Sequence, residues 1–307
     1  MGTKPNRSKH HLNDPKEENG LTGKTALVTG ANSGMGLATS IELSKRGYRV
    51  LMACRSRERG EEALRKVEQS GGSGSAELVL CDLADLSSIR RFAGDVHGRI
   101  DTLDVLINNA GVVSPKRQET KDGFELALGV NHLGHFLATN LLLGLVKASG
   151  RGRIVVVASG AYKAGRIHFE DPHLRRSYNV VKSYGQSKLA NILFARELAL
   201  RTYDAGIAVN ALHPGAVLTQ LGVNRGTGFG QGVYRMLGGL PSFQTPEEGA
   251  STAVYLADSP EVEGISREYF YRSRPKRLGG KAEDDEAAAK LWEWSEREVG
   301  LQGTKGV

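Results

Sequence analysis

Only two cysteines occur in 307 residues, Cys54 and Cys81, each closing a short apolar run that reads as a strand. That scarcity excludes a disulfide framework and leaves reduced, cytosolic thiols as the simpler expectation. Runs of about 18 apolar residues, the length a spanning helix needs, do not occur. The first 22 residues are polar throughout, so the sequence predicts neither a signal nor a membrane anchor, and the expectation is a soluble, cytoplasmic chain. A net charge of +7 raises nucleic acid or an acidic membrane surface as partners. The basic residues are scattered, however, with no basic helix and no interleaved aromatic platform, so the footprint of nucleic-acid binding is missing.

Residues 1–22 combine many charged side chains with hardly any apolar ones and read as a disordered polar tail. From Lys24 onward, short apolar runs alternate with amphipathic stretches. The runs are Thr25 to Thr29, Arg49 to Ala53, Leu78 to Cys81, Leu103 to Ile107, Ile154 to Ala158 and Ile207 to Leu212. Ile154-Val155-Val156-Val157 is apolar on both faces, as a parallel strand between two helical layers must be. The pattern predicts an α/β fold, a doubly wound parallel sheet in a Rossmann-type three-layer sandwich, as a single domain over 23–301.

The Gly-Gly-Ser-Gly-Ser stretch at 71–75 reads as a surface turn inside one strand–helix alternation. The glycine-rich segment 220–245 carries Phe229, Tyr234, Met236 and Leu237; it reads either as a lid over an apolar substrate or as a surface excursion. Thr245-Pro246-Glu247-Glu248 predicts a capped helix start, and Leu291-Trp292-Glu293-Trp294 a closing amphipathic helix.

Chemistry is concentrated at strand ends. Thr29-Gly30-Ala31-Asn32-Ser33-Gly34-Met35-Gly36 follows the first strand directly into a helix, a placement that lets backbone N–H groups cradle phosphate. Strand two ends in Met52-Ala53-Cys54-Arg55 without the acid that would bind free ribose hydroxyls. Arg55 is therefore the candidate for a 2'-phosphate, which points to NADP(H); alternatively it begins a solvated basic helix with Arg57 and Arg59.

Tyr184-Gly185-Gln186-Ser187-Lys188 sets a phenol and an ammonium one helical turn apart, on one face. A fixed cation beside a phenol lowers its pKa, making Tyr184 a candidate general acid/base. Tyr178 and Lys182 repeat that spacing. Helical register favours Tyr184, because Leu189, Leu193, Leu198 and Leu200 continue its pattern, whereas Tyr178 precedes the β-branched pair Val180-Val181. His132 and His135 share a helix face but lack a third ligand, so they read as structural and no metal is expected.

On these motifs the chain resembles the short-chain dehydrogenase/reductase family. Asn108-Asn109-Ala110-Gly111 matches the family's turn after strand four, Asp82-Leu83 its adenine-side acid, and Pro214-Gly215 with Val217 and Thr219 its nicotinamide-side turn. Val130-Asn131-His132-Leu133-Gly134-His135-Phe136 and Ser187-Lys188-Leu189-Ala190-Asn191 are similar to the retinol-dehydrogenase-like branch. The resemblance implies Ser159 beside the substrate oxygen, Lys188 on the nicotinamide ribose and Asn131 supporting a proton relay. It further implies an NADP(H)-dependent oxidoreductase for an apolar alcohol and its aldehyde or ketone.

Departures from the branch are Val157-Ala158-Ser159-Gly160-Ala161 for a double serine, Ser266-Arg267-Glu268-Tyr269-Phe270 for a Ser-Gly-Lys-Tyr-Phe pattern, and no amino-terminal anchoring segment. A nucleotide-sensing scaffold and a protochlorophyllide-reductase-like photoenzyme are the alternatives. The family also implies a homodimer through the helices after strands four and five, which Leu141-Leu142-Leu143 permits.

Overall fold

The computed structural model describes residues 23–215 and 244–301. The amino-terminal tail, most of the 220–245 segment, Val217 and Thr219 lie outside the described residues. Eight strands form one sheet in the order β3-β2-β1-β4-β5-β6-β7-β8. They are β1 Thr25–Thr29, β2 Arg49–Cys54, β3 Ser75–Leu80, β4 Val105–Asn108, β5 Arg153–Val157, β6 Ala208–His213, β7 Tyr269–Tyr271 and β8 Arg274–Pro275. All neighbours pair in parallel except β7 with β8. The expected doubly wound sheet is thus present, with its topological switch between β1 and β4, where such folds open a crevice at the carboxyl ends of the strands.

Alternation along each strand divides the core between two layers. Leu27, Leu51, Leu106, Ile154 and Val156 face α3 (Leu86–His97), α4 (Leu126–Ala148), α5 (Val180–Arg201) and α7 (Asp285–Glu298). Ala26, Val28, Met52, Ile107 and Val155 face α1 (Gly34–Lys45), α2 (Arg57–Glu68) and α6 (Pro246–Asp258). The two cysteines fall on opposite layers, Cys81 with the first and Cys54 with the second, so they pack as separate small apolar groups. Burial pushes both thiols up to about 12.

α4 is long and apolar enough to cross a membrane, but 78% of its most apolar window is buried inside the fold, which identifies a core helix. Within it, Gly129–Gly134 forms a π-helical turn. α6 begins at the expected cap: Glu248 N–H donates to Thr245 Oγ1 at 3.2 Å and Thr245 N–H to Glu248 Oε2 at 2.9 Å, a reciprocal capping box. α7 lays Trp292 against Phe136 of α4 and Phe194 of α5, with ring centroids 4.8 and 5.9 Å away. The chain's own last helix therefore covers this part of the α4 and α5 surface. The glycine stretch at 71–75 is no loose linker, since Gly74 N–H donates to the Ser44 carbonyl at 2.9 Å and β3 already starts at Ser75.

Candidate active site

The turn from β1 to α1 carries Gly30, Asn32, Ser33, Gly34, Met35 and Gly36 at the switch point. A Cβ on Gly36 would overlap the Gly30 carbonyl and meet Asn109 Nδ2 at 2.5 Å, so this close strand–helix contact requires glycine. Ser33 caps α1 without any side-chain hydrogen bond, and no acid stands in the first turn. The first amides of α1 thus keep their donors for an anion. Beside this turn, Asn109 Nδ2 donates to the Thr29 carbonyl at 2.7 Å, while Ala110 and Gly111 continue across the mouth of β4.

The residues expected on the adenine side lie along the same edge. Asp82 follows β3 and accepts from Ala84 N–H at 3.0 Å, with Leu83 buried beneath. Arg55 follows β2, exposed and without an ion pair among the described residues, whereas Arg57 pairs with Glu61 at 3.7 Å. At the opposite end, Pro214 and Gly215 leave β6, and Gly215 N–H donates to His213 Nδ1 at 3.0 Å.

Ser159 caps a short 3-10 turn, Gly160–Ala164, and its Oγ accepts from Ala161 N–H at 3.2 Å. This turn presses on α5 so closely that a Cβ on Gly165 would overlap the Gly185 carbonyl. The Ser159 hydroxyl stands near the Tyr184 phenol and acts to lower its pKa. One turn along, the Lys188 ammonium lies 5.7 Å from the Tyr184 ring centroid and donates to the Val157 carbonyl at 3.1 Å.

Electrostatics here correct the expectation of a lowered phenol. Burial pushes Tyr184 up, opposed by the nearby Ser159 hydroxyl. Burial also brings Lys188 down from 10.5 to about 8, so desolvation dominates at both groups. Among the described residues the ammonium has one hydrogen-bond partner, leaving donor capacity in a buried cation. A ribose hydroxyl fits that capacity, as phosphate fits the uncapped turn of α1.

Asn131 sits in the π-helical turn with no exposed surface. Its side chain clamps Val112, accepting from N–H at 2.8 Å and donating to the carbonyl at 3.0 Å, and donates to Ser187 Oγ at 2.9 Å. Ser187 Oγ in turn donates to the Tyr184 carbonyl at 2.9 Å. The side chain thus ties the turn after β4 to the helix that carries the tyrosine.

Tyr178 is no rival. Asn179 caps α5, so Tyr178 precedes the helix, and its hydroxyl donates to the Ser114 carbonyl at 2.6 Å. The 160–180 insertion is pinned at several points that the sequence did not mark. Gln186 accepts from His168 N–H and donates to the Pro172 carbonyl, both at 2.8 Å, and Arg117 donates to the His173 carbonyl at 3.0 Å. Buried Glu125 caps the start of α4 and accepts from Ser183 Oγ at 2.9 Å, next to Tyr184. An isolated Glu or Gln in a sequence gives no sign of such a role. An open cleft of about 440 Å³ lies beyond the 160–164 turn, lined by Tyr162, Lys163, Lys276, Arg277 and Lys281. Burial, then Lys276 and Lys163, push His213 down to about 4.

The short chain dehydrogenase family matches residues 24–228. Retinol dehydrogenase 14 of Homo sapiens is 49% identical over 297 residues, covering 92% of this chain and 88% of that protein. Retinol dehydrogenase 13 of Homo sapiens is 42% identical, covering 92% and 86%. Among solved structures, a protein of Mycobacterium paratuberculosis aligns with a TM-score of 0.70 at 36% identity, covering 90% of this chain and 93% of that one. A Beutenbergia cavernae protein described as an NAD(P) dependent gluconate 5-dehydrogenase, with bound NADP at low occupancy, aligns at 0.63 and 29%, covering 81% and 95%.

Proposed function

The chain belongs to the short-chain dehydrogenase family, in its retinol-dehydrogenase-like branch, and is an oxidoreductase; from that premise we propose that it interconverts an apolar alcohol and its aldehyde or ketone with NADP(H). The observation that carries the reading is the meeting of the Ser159 hydroxyl, the Tyr184 phenol and the Lys188 ammonium beside the carboxyl end of β5. When bound, NADP(H) supplies or accepts the hydride.

The chain's own groups handle the proton and the positioning. Tyr184 gives a proton to the substrate oxygen in reduction and removes it in oxidation, a contribution of about 10² to 10⁴ in rate. Its raised phenol is a proton holder at neutral pH, which suits the reductive direction. Ser159 orients the same oxygen by hydrogen bonding. Lys188 offers its spare donors to ribose, and Asn131 keeps α5 in register with the turn after β4. Arg55, free of carboxylates among the described residues, supports a preference for the 2'-phosphate. We further propose a cytoplasmic location, to be read by cell fractionation. The homodimer remains a proposal for sedimentation analysis, with Leu142 buried and Leu141 and Leu143 half-buried.

The test follows NADPH absorbance in darkness against a panel of apolar aldehydes and ketones, for the wild type and Tyr184→Phe. Oxidation that falls about 10² to 10⁴-fold in the variant is the expected outcome. Cofactor binding without oxidation across the panel overturns the proposal in favour of a sensing scaffold, and turnover confined to illuminated samples favours the photoenzyme.

A further inference from the structure

His135 reads as a structural histidine from the sequence, but its two ring nitrogens join the two halves of the site. Nδ1 lies 3.0 Å from the Asn131 carbonyl and Nε2 lies 2.9 Å from Thr29 Oγ1. A carbonyl only accepts, so Nδ1 carries the proton and Nε2 accepts from the Thr29 hydroxyl. That hydroxyl also accepts from Asn109 N–H at 2.8 Å and Ala110 N–H at 3.0 Å, while its competing acceptor, the Ile107 carbonyl, is farther away at 3.3 Å. Every hydrogen-bonding position on Thr29 Oγ1 and on the imidazole is then used. Thr29, His135, Asn131 and Ser187 are each at most 1% exposed, so an unmade bond here has no water to replace it.

We propose that His135 is a positioning residue that couples the cofactor-side turn at Asn109–Ala110, through Thr29, to the backbone of Asn131 and hence to the Tyr184 helix. The coupling runs from the two turn amides to Thr29 Oγ1, from Thr29 to Nε2, and from Nδ1 to the Asn131 carbonyl. Asn131 and Ser187 then carry it to the Tyr184 carbonyl. Burial holds the imidazole neutral at about 4, with the Lys188 charge acting in the same direction, so the tautomer persists across the physiological range. The π-helical turn sets Asn131 and His135 for this contact. Its end at Gly134, immediately before His135, marks where the helix changes pitch.

The two arms can be cut separately. In His135→Asn the short amide stays near the Nδ1 position and keeps the Asn131 arm, whereas in His135→Gln the longer amide reaches the Nε2 position and keeps the Thr29 arm. The proposal rests on the oxidoreductase reading for its kcat arm only, because the Thr29 arm is read by NADPH binding itself. His135→Asn is expected to weaken NADPH binding, measured by fluorescence titration, and to raise KM for NADPH about ten-fold with kcat within about three-fold. His135→Gln is expected to lower kcat about ten-fold with NADPH affinity within about three-fold. Thr29→Val should reproduce the binding loss of His135→Asn and add little to it in the double variant. Affinity and kcat that fall together in both variants in step with Tm, or that do not move, identify an ordinary core histidine and overturn the proposal. If the wild type turns over no carbonyl, the functional reading fails while the titrations still decide whether the Thr29 arm exists.

Discussion

Replacing Lys188 with methionine should stabilise the folded chain while abolishing its activity, with a pH dependence that identifies the cause. The ammonium is buried and its pKa falls from 10.5 to about 8 through desolvation. At about 1.4 kcal/mol per tenfold change in proton affinity, holding the charge inside costs about 3 kcal/mol. Below pH 8 the group is protonated in both the folded and the unfolded chain, so the folded state carries the whole cost. Between 8 and 10.5 the folded chain sheds a proton that the unfolded chain keeps, and stability rises with pH until the cost has gone.

Methionine keeps the unbranched stem and removes the charge. The bond to the Val157 carbonyl is lost, about 1 kcal/mol, but that oxygen keeps the Asn191 Nδ2 donor at 3.1 Å and is not orphaned. The variant should therefore be more stable by about 2 kcal/mol at pH 7, a rise in Tm of roughly 3 °C. Near pH 9.5 the gap should shrink to about half a kcal/mol or less. Urea unfolding of cofactor-free protein at the two pH values measures both quantities. A gap that is equal at the two pH values, or a variant less stable at pH 7, refutes the reasoning.

Three further outcomes follow from contacts described above. Arg55→Ala should raise KM for NADPH about ten-fold and leave that for NADH unchanged, in steady-state assays with each cofactor; an equal loss for both removes Arg55 as the selector. Tyr178→Phe should keep near-normal turnover while losing about 1 kcal/mol of stability with the Ser114 bond, by chemical unfolding. Thr245→Ala deletes one half of the capping box and should lower stability by about 1 kcal/mol in calorimetry, with kcat retained.

What the sequence disclosed is what short-range pattern can encode. Ile154 to Val157 is apolar at every position because helices cover both faces, and the strand appears there with both layers occupied. The Thr245 box is legible because its donors and acceptors lie three residues apart. Tyr269–Tyr271 is three residues long and β8 ends in a proline on the sheet edge, too little for a period-two signal to register. The π-helical turn leaves no mark in composition. The direction of the Tyr184 shift is not legible in the sequence for a related reason: spacing shows that a cation is near, but only packing shows how far both groups are taken out of water.

That difference separates the scaffold of the site from its reactive part. Thr29, Asn131, Ser187 and the imidazole of His135 are buried polar groups whose bonds are met within the chain, so they hold positions and have little left to offer a ligand. Lys188 is also buried and, among the described residues, has one acceptor for three protons, and the first amides of α1 have no side-chain cap. Buried donors left short of partners raise the free energy of the empty site, and a molecule that fills them recovers it as binding energy. The ribose hydroxyls and phosphates of a dinucleotide are acceptors suited to the two places where the described residues supply too few. Stabilisation of the cofactor-free protein by Lys188→Met and weaker NADPH binding by the same variant are then two consequences of one design, and finding either without the other breaks the connection.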